Sequence, residues 1–172
     1  MRAVTSPQLT RLMQKAFIKT RLRKEVRFRP AEVVSWEDTE LLAIPDRSGN
    51  QGVLLVQPYD ELYVVSYEIS RGLSDNQSGR FKPAICDLCY TWQQGSNMAG
   101  ITFDLPDTVL HTVSYLCCAD LECSKNARLK TEASIMSRVQ LHERMTAGQR
   151  TDRLKARLLK LMDRLDRKPV VD

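Results

Sequence analysis

Cys86-Asp87-Leu88-Cys89 and, 28 residues further on, Cys118-Ala119-Asp120-Leu121-Glu122-Cys123 decide how this chain is read. Each stretch sets two cysteines at a spacing that a tight turn can fold, so both thiolates can aim at one point with little loop-closure cost. Zn²⁺ takes four soft ligands in a tetrahedron at a structural site, and two such pairs supply them. Between the pairs, residues 99–103 and 108–116 read as a hairpin across Asp104-Leu105-Pro106-Asp107. Knuckle, hairpin, then a helix opening at the second pair is the order of parts in a treble-clef zinc finger. A disulfide framework fits poorly, because nothing in the sequence suggests export and cytosolic thiols stay reduced. A thioredoxin-like use of Cys86 and Cys89 would need a βαβ pattern, whereas their neighbours read as strand and turn. Unrelated buried thiols are the plain alternative.

A fifth cysteine, Cys117, adjoins Cys118. Neighbours in an extended segment point to opposite sides, so one ion does not draw on both. Cys118 is the preferred ligand, with Cys86, Cys89 and Cys123, and Cys117 is a core thiol or a spare ligand. His111 could replace one ligand, but a lone histidine in a strand pattern is more often a hydrogen-bonded structural residue. His142, in a charged helix, has no partner at ligand spacing. A four-cysteine site leaves no open position for water, so one structural Zn²⁺ is expected and no catalytic metal. No phosphate-binding glycine loop, dinucleotide fingerprint or nucleophile elbow occurs, and no catalytic residue is assigned.

Outward from the cysteines the chain reads as α+β. Ser6-Pro7 opens a helix, and Leu9, Leu12, Met13, Ala16 and Phe17 form one apolar stripe of about five turns, stopped before Pro30. Residues 43–45, 53–56 and 62–67 are β-branched or aromatic runs separated by turn formers, an antiparallel meander. Residues 70–80 are a polar, glycine-bearing loop. Thr131-Glu132-Ala133 can open a helix, and Leu154, Leu158, Leu161, Met162 and Leu165 stripe the last one. The expected architecture is an N-terminal helix on an antiparallel β-meander, continuous with a four-cysteine treble-clef finger and a C-terminal helix. Its single domain spans 1–172: helix and sheet over 1–80, the finger over 81–130, and closing helices over 131–172.

At 172 residues, 42% hydrophobic and 27% charged, the composition is that of a globular protein. No apolar run approaches the ~20 residues that span a bilayer. The start lacks an apolar signal core, so a cytoplasmic protein with no membrane partner is expected. The net charge of +5 is unevenly spread: residues 11–29 carry eight Lys/Arg against Glu25, residues 138–172 ten against five acids, and residues 30–137 seven against fifteen. Basic ends around an acidic centre suit either solvated helix faces or surfaces aimed at RNA or an acidic protein.

Ile85-Cys-Asp-Leu-Cys89 and Tyr115-Leu-Cys-Cys-Ala-Asp-Leu-Glu-Cys-Ser124 resemble the zinc-finger domain of the elongation-factor-G-binding proteins, the FBP family that includes the FusB-type fusidic-acid-resistance proteins. The match at 118–124 supports Cys118 over Cys117. The resemblance covers most of the chain, and its specific part is the cysteine segments. Residues Gly100 to Asp107 are acidic where family members often carry a basic, glycine-rich stretch. The resemblance implies a non-enzymatic zinc-binding adaptor that grips elongation factor G and helps it leave a stalled ribosome. Tyr90, Trp92 and Tyr115, flanking the cysteines, are candidate contact residues because aromatics dominate binding hot spots; packing around the finger is the alternative for each. A zinc-finger RNA or ribosome binder, using the basic terminal helices on rRNA, is the second reading.

Overall fold

The computed structural model describes residues 1–30, 35–71, 82–105 and 112–170. The chain opens with α1 (Ser6–Lys15) and α2 (Thr20–Glu25) and continues through β1 (Leu41–Pro45), β2 (Gln51–Val56) and β3 (Tyr63–Arg71). The short strands β4 (Ala84–Ile85) and β5 (Trp92–Gln93) bracket the first cysteine pair. Strands β6 (Met98–Asp104) and β7 (Thr112–Cys118) follow, then α3 (Cys123–Ala127), α4 (Glu132–Gln140) and α5 (Ala147–Arg164). Five strands form one antiparallel sheet in the order β1-β2-β3-β6-β7, and β4 pairs with β5 apart from it. The hairpin between the cysteine pairs thus extends the meander, with Ile69 of β3 opposite Ile101 of β6.

The run Val53-Leu54-Leu55-Val56 shows how the layers form. Strand alternation sends Val53 and Leu55 to one face, where they pack with Leu9, Leu12, Met13, Ile18 and Leu22 of the N-terminal helices. Leu54 and Val56 go to the other face, with the cysteines and Leu154, Leu158, Leu161, Met162 and Leu165 of the last helix. A strand covered on both sides reads as continuously apolar for this reason.

The N-terminal segment differs from the expected single five-turn helix. Its cap is Thr5, one residue before Ser6, in a reciprocal capping box with Gln8. Helix α1 then ends at Phe17, which takes a left-handed φ of 55°. The Phe17 amide bonds to the Gln14 carbonyl and the Ile18 amide to the Met13 carbonyl, a Schellman closure that turns the chain into α2. Phe17, expected on the buried stripe, is 93% exposed. Of the polar loop expected at 70–80, Ser70 and Arg71 belong to β3 and the rest lies outside the described residues; so do His111 and most of the hairpin turn. Among the described residues, no helix is long and apolar enough to cross a membrane.

Candidate metal centre

Two loops place the cysteines. In the first, the Tyr90 amide bonds to the Cys86 carbonyl, and Tyr90 itself sits left-handed at φ 60°, folding Cys89 back over Cys86. In the second, the Leu121 amide bonds to the Cys118 carbonyl at 3.0 Å, and Leu121 is left-handed at φ 56°, so the chain reverses out of β7 into α3. Asp87 fastens the knuckle to β7: its amide donates to the Leu116 carbonyl at 2.8 Å, and its carboxylate accepts from the Leu116 amide at 2.7 Å.

The Sγ atoms of Cys86, Cys89, Cys118 and Cys123 all lie within 4.8 Å of one another, and all four residues are buried. Cys86 and Cys123 are 3.8 Å apart at sulfur, Cys89 and Cys118 3.6 Å. Four sulfurs each about 2.3 Å from a central Zn²⁺ span tetrahedral edges of about 3.8 Å. All five cysteines are free thiols. The surroundings suit thiolates: Cys118 receives N–H groups from Gln93 (3.0 Å) and Asn126 (3.3 Å), and Cys86 receives the Cys89 amide (3.4 Å). The Thr91 hydroxyl lies 3.2 Å from the Cys89 sulfur. Hydrogen bonds from the Cys118, Cys123 and Cys86 thiols hold Cys89 well below the ordinary thiol range, against the effect of burial. Cys123 is pushed well above it by its bonds to the Cys118, Cys86 and Cys89 thiols and by burial. Thiols at this separation share protons unequally, and a dication at their centre lets all four ionise. The donor set therefore fits zinc and leaves no coordination position open.

Cys117 is outside this group. It is buried in the core, and burial pushes its thiol up, so it stays protonated. His142 is exposed and stands apart from the cluster.

Arg150, which the sequence offers as one more charge on an Arg-rich helix, is completely buried behind the sulfurs. Its Nη2 donates to Thr91 Oγ1 at 3.3 Å and to the Asn126 carbonyl at 3.4 Å, and its Nη1 pairs with Glu143. Both acceptors belong to residues that also approach a cysteine sulfur. A centre of one Zn²⁺ and four thiolates carries two net negative charges, and this guanidinium sits one hydrogen bond behind it. Neither periodicity nor spacing singles out Thr91, Gln93, Asn126 or Arg150, because their role depends on the pairing of distant segments.

Of the three aromatic candidates, Tyr90 lies beneath two guanidinium groups, with Arg153 and Arg157 4.8 and 4.7 Å from its ring centroid, and its hydroxyl accepts from Arg157. Tyr115 packs edge-on against Phe103 and carries Arg164 at 5.7 Å. Trp92 is half-buried, its amide donating to Ser137 Oγ of α4 at 2.8 Å. That helix is inside out: Ser134 and Ser137 are fully buried, while Ile135, Met136 and Val139 are 56%, 46% and 62% exposed.

Five antiparallel strands, two short-spaced cysteine pairs closing on one point, and a helix opening at the second pair define a treble-clef zinc-finger protein with one structural zinc. The sequence profile of the FBP C-terminal treble-clef zinc-finger family matches residues 14–165, and the chain belongs to that family. Comparison with curated proteins and with solved structures gives no significant match.

Proposed function

We propose that this protein is a non-enzymatic, cytoplasmic adaptor of the translation apparatus that binds elongation factor G, with Cys86, Cys89, Cys118 and Cys123 as the ligands of its zinc. Membership of the FBP family supports the choice of partner. The observation that carries an adaptor role is the inverted helix α4 beside a closed four-sulfur centre. The metal fixes a shape, and the solvent-facing Ile135, Met136 and Val139 form an apolar surface of the kind a protein interface covers. Trp92, tied to α4 through Ser137, lies at the border of that surface; Tyr90 and Tyr115 lie on the α5 side. Release of a stalled translocase needs no bond chemistry: tighter binding to one of its two states, free or ribosome-bound, shifts the equilibrium between them.

Titration calorimetry with purified elongation factor G tests the reading. A 1:1 complex is expected, weakened at least about tenfold by the double change Ile135→Ser, Val139→Ser with zinc content unaltered. No complex at micromolar concentrations, or a double variant that binds like the parent, overturns it.

A further inference from the structure

Strand β1 is an edge of the five-stranded sheet. The Asp46 amide donates to the Gln51 carbonyl and the Gln57 amide to the Glu40 carbonyl, both at 2.8 Å. In an antiparallel ladder alternate residues bond the partner, so Leu42 and Ile44 face β2, and Leu41, Ala43 and Pro45 turn their backbone groups outward. The two ends of that outward row are taken. The Leu41 amide donates to Ser124 Oγ at 3.3 Å, and the Pro45 carbonyl accepts from the Arg27 amide at 3.1 Å. Between them, the Leu41 carbonyl and the amide and carbonyl of Ala43 have no partner among the described residues. The other edge strand, β7, is blocked at Leu116, where Asp87 engages both outward groups.

Both Leu41 and Ala43 line a cleft of about 520 Å³, within the range of about 300–1,000 Å³ usual for ligand sites. One wall carries Phe28, which packs with the N-terminal helices, and the other carries Leu121, of the core around the cysteines. The second wall is fixed by the metal loop. Ser124, next to Cys123, also accepts from the Glu40 amide at 2.9 Å, and Arg128 of the same segment forks onto the buried Glu40 carboxylate at 2.7 Å.

We propose that this cleft binds an extended acidic peptide segment of a partner protein, which adds to β1 as a further strand. An extended backbone presents donors and acceptors at the repeat that Leu41 and Ala43 offer. Three bonds form, two at Ala43 and one at the Leu41 carbonyl, and alternate side chains of the peptide meet the Phe28 and Leu121 walls. The charge follows from the lining, five Lys/Arg against three Asp/Glu. Lys125, Arg128 and Lys130 are already paired with Glu122, Glu40 and Asp38. Arg27 is exposed and makes no salt bridge among the described residues, so an acidic side chain belongs at its end of the cleft. A second copy of this chain fits less well, because its own β1 edge is flanked by the same two walls.

Amide NMR of the zinc-loaded full chain, titrated with the capped peptide acetyl-Glu-Val-Ile-Val-Glu-amide, tests the proposal. The Ala43 amide should shift and saturate at one peptide per chain. Two N-methylated peptides, one altered at the isoleucine and one at both valines, block opposite edges of the strand. One of them should lose at least about fivefold in affinity and the other should bind like the parent. Ala43→Pro should weaken the parent peptide by at least about fivefold, read at the Leu121 amide. Proline suits that position because the outward amide makes no bond to β2, and Pro45 already stands on the same row. Arg27→Glu should weaken binding about threefold or more and favour a peptide with lysine at both ends. The proposal is overturned by an unmoved Ala43 amide at about 1 mM peptide, or by equal affinities of the two N-methylated forms. Full affinity in Ala43→Pro, equal binding of the lysine peptide to the parent chain, or an Ala43 shift that follows protein concentration alone would do the same. The complex with elongation factor G is measured separately, so either proposal can fail without the other.

Discussion

The two faces of the sheet are covered by different physical means. On one, α1 and α2 lay Leu9, Leu12, Met13 and Leu22 onto Ile44, Val53, Leu55 and Val64, a seal of hydrocarbon on hydrocarbon. On the other, the leucines of α5 share the cover with four cysteines, and Thr91, Gln93, Ser124, Asn126, Ser134, Ser137 and Arg150 are buried around them. The first face gains its stability by removing hydrocarbon from water. The second loses much of that gain to polar burial and recovers it through hydrogen bonds and a metal. The two faces therefore differ in vulnerability: the apolar one should fail gradually under mutation, and the cysteine one all at once when its ion leaves.

The largest effect is expected from Cys123→Ser. Apparent metal-binding energies at structural zinc sites run to about 10–16 kcal/mol, as large as the whole stability of an ordinary domain. Zinc measured by plasma emission should fall from one per chain toward none, and the cooperative thermal transition should disappear. Cys117→Ala, one residue from a ligand but on the other side of β7, should keep its zinc and lose about 1 kcal/mol. Similar outcomes for Cys117→Ala and Cys123→Ser would mean that the cysteine face does not separate its metal ligands from its core thiol.

Leu12→Ala probes the apolar side. Leu12 is buried in α1 against the sheet, and truncating it should cost about 3–5 kcal/mol by denaturant titration, as large-to-small changes in packed cores do. Zinc stoichiometry should not change. Loss of zinc from this variant would mean that the two faces fold as one metal-dependent unit.

The sequence exposed the cysteine face more fully than its cover. Cys86, Cys89, Cys118 and Cys123 could be paired from spacing, because short loops bring ligands together whatever the rest of the chain does. Strand alternation separated Cys117 from Cys118 for the same local reason. The division of the N-terminal helix was hidden. Helices α1, α3, α4 and α5 all end in Schellman closures, and the left-handed positions are held by Phe17, Leu129, His142 and Asp166, with no glycine to mark a stop. Helix α4 misleads in a second way, since its serines face inward to satisfy Trp92 and Thr131 while its aliphatic residues face out. Pairing of β3 with β6 spans the knuckle, and no local pattern encodes it.

Arg150 is the finest test of the contrast, because it is the charge that the cysteine face tolerates and the apolar face lacks. Burial lowers its tendency to hold a proton, while the Glu143 carboxylate opposes that effect and keeps the guanidinium worth burying. Arg150→Met keeps most of the volume and leaves Glu143 paired with Arg153, so no carboxylate is stranded by the change. What it removes is the donor to Thr91 and to the Asn126 carbonyl, and with it the positive charge behind the sulfurs. If the guanidinium only fills space, zinc affinity in a competitive chelator titration should stay within about twofold of the parent. If it positions Thr91 and Asn126 and offsets the charge of the thiolates, affinity should fall by about 10- to 100-fold, the range seen when outer partners of metal ligands are removed. Arg150→Lys separates the two contributions: it keeps the charge but loses the fork that reaches both acceptors, so it should recover part of the affinity lost in the methionine variant.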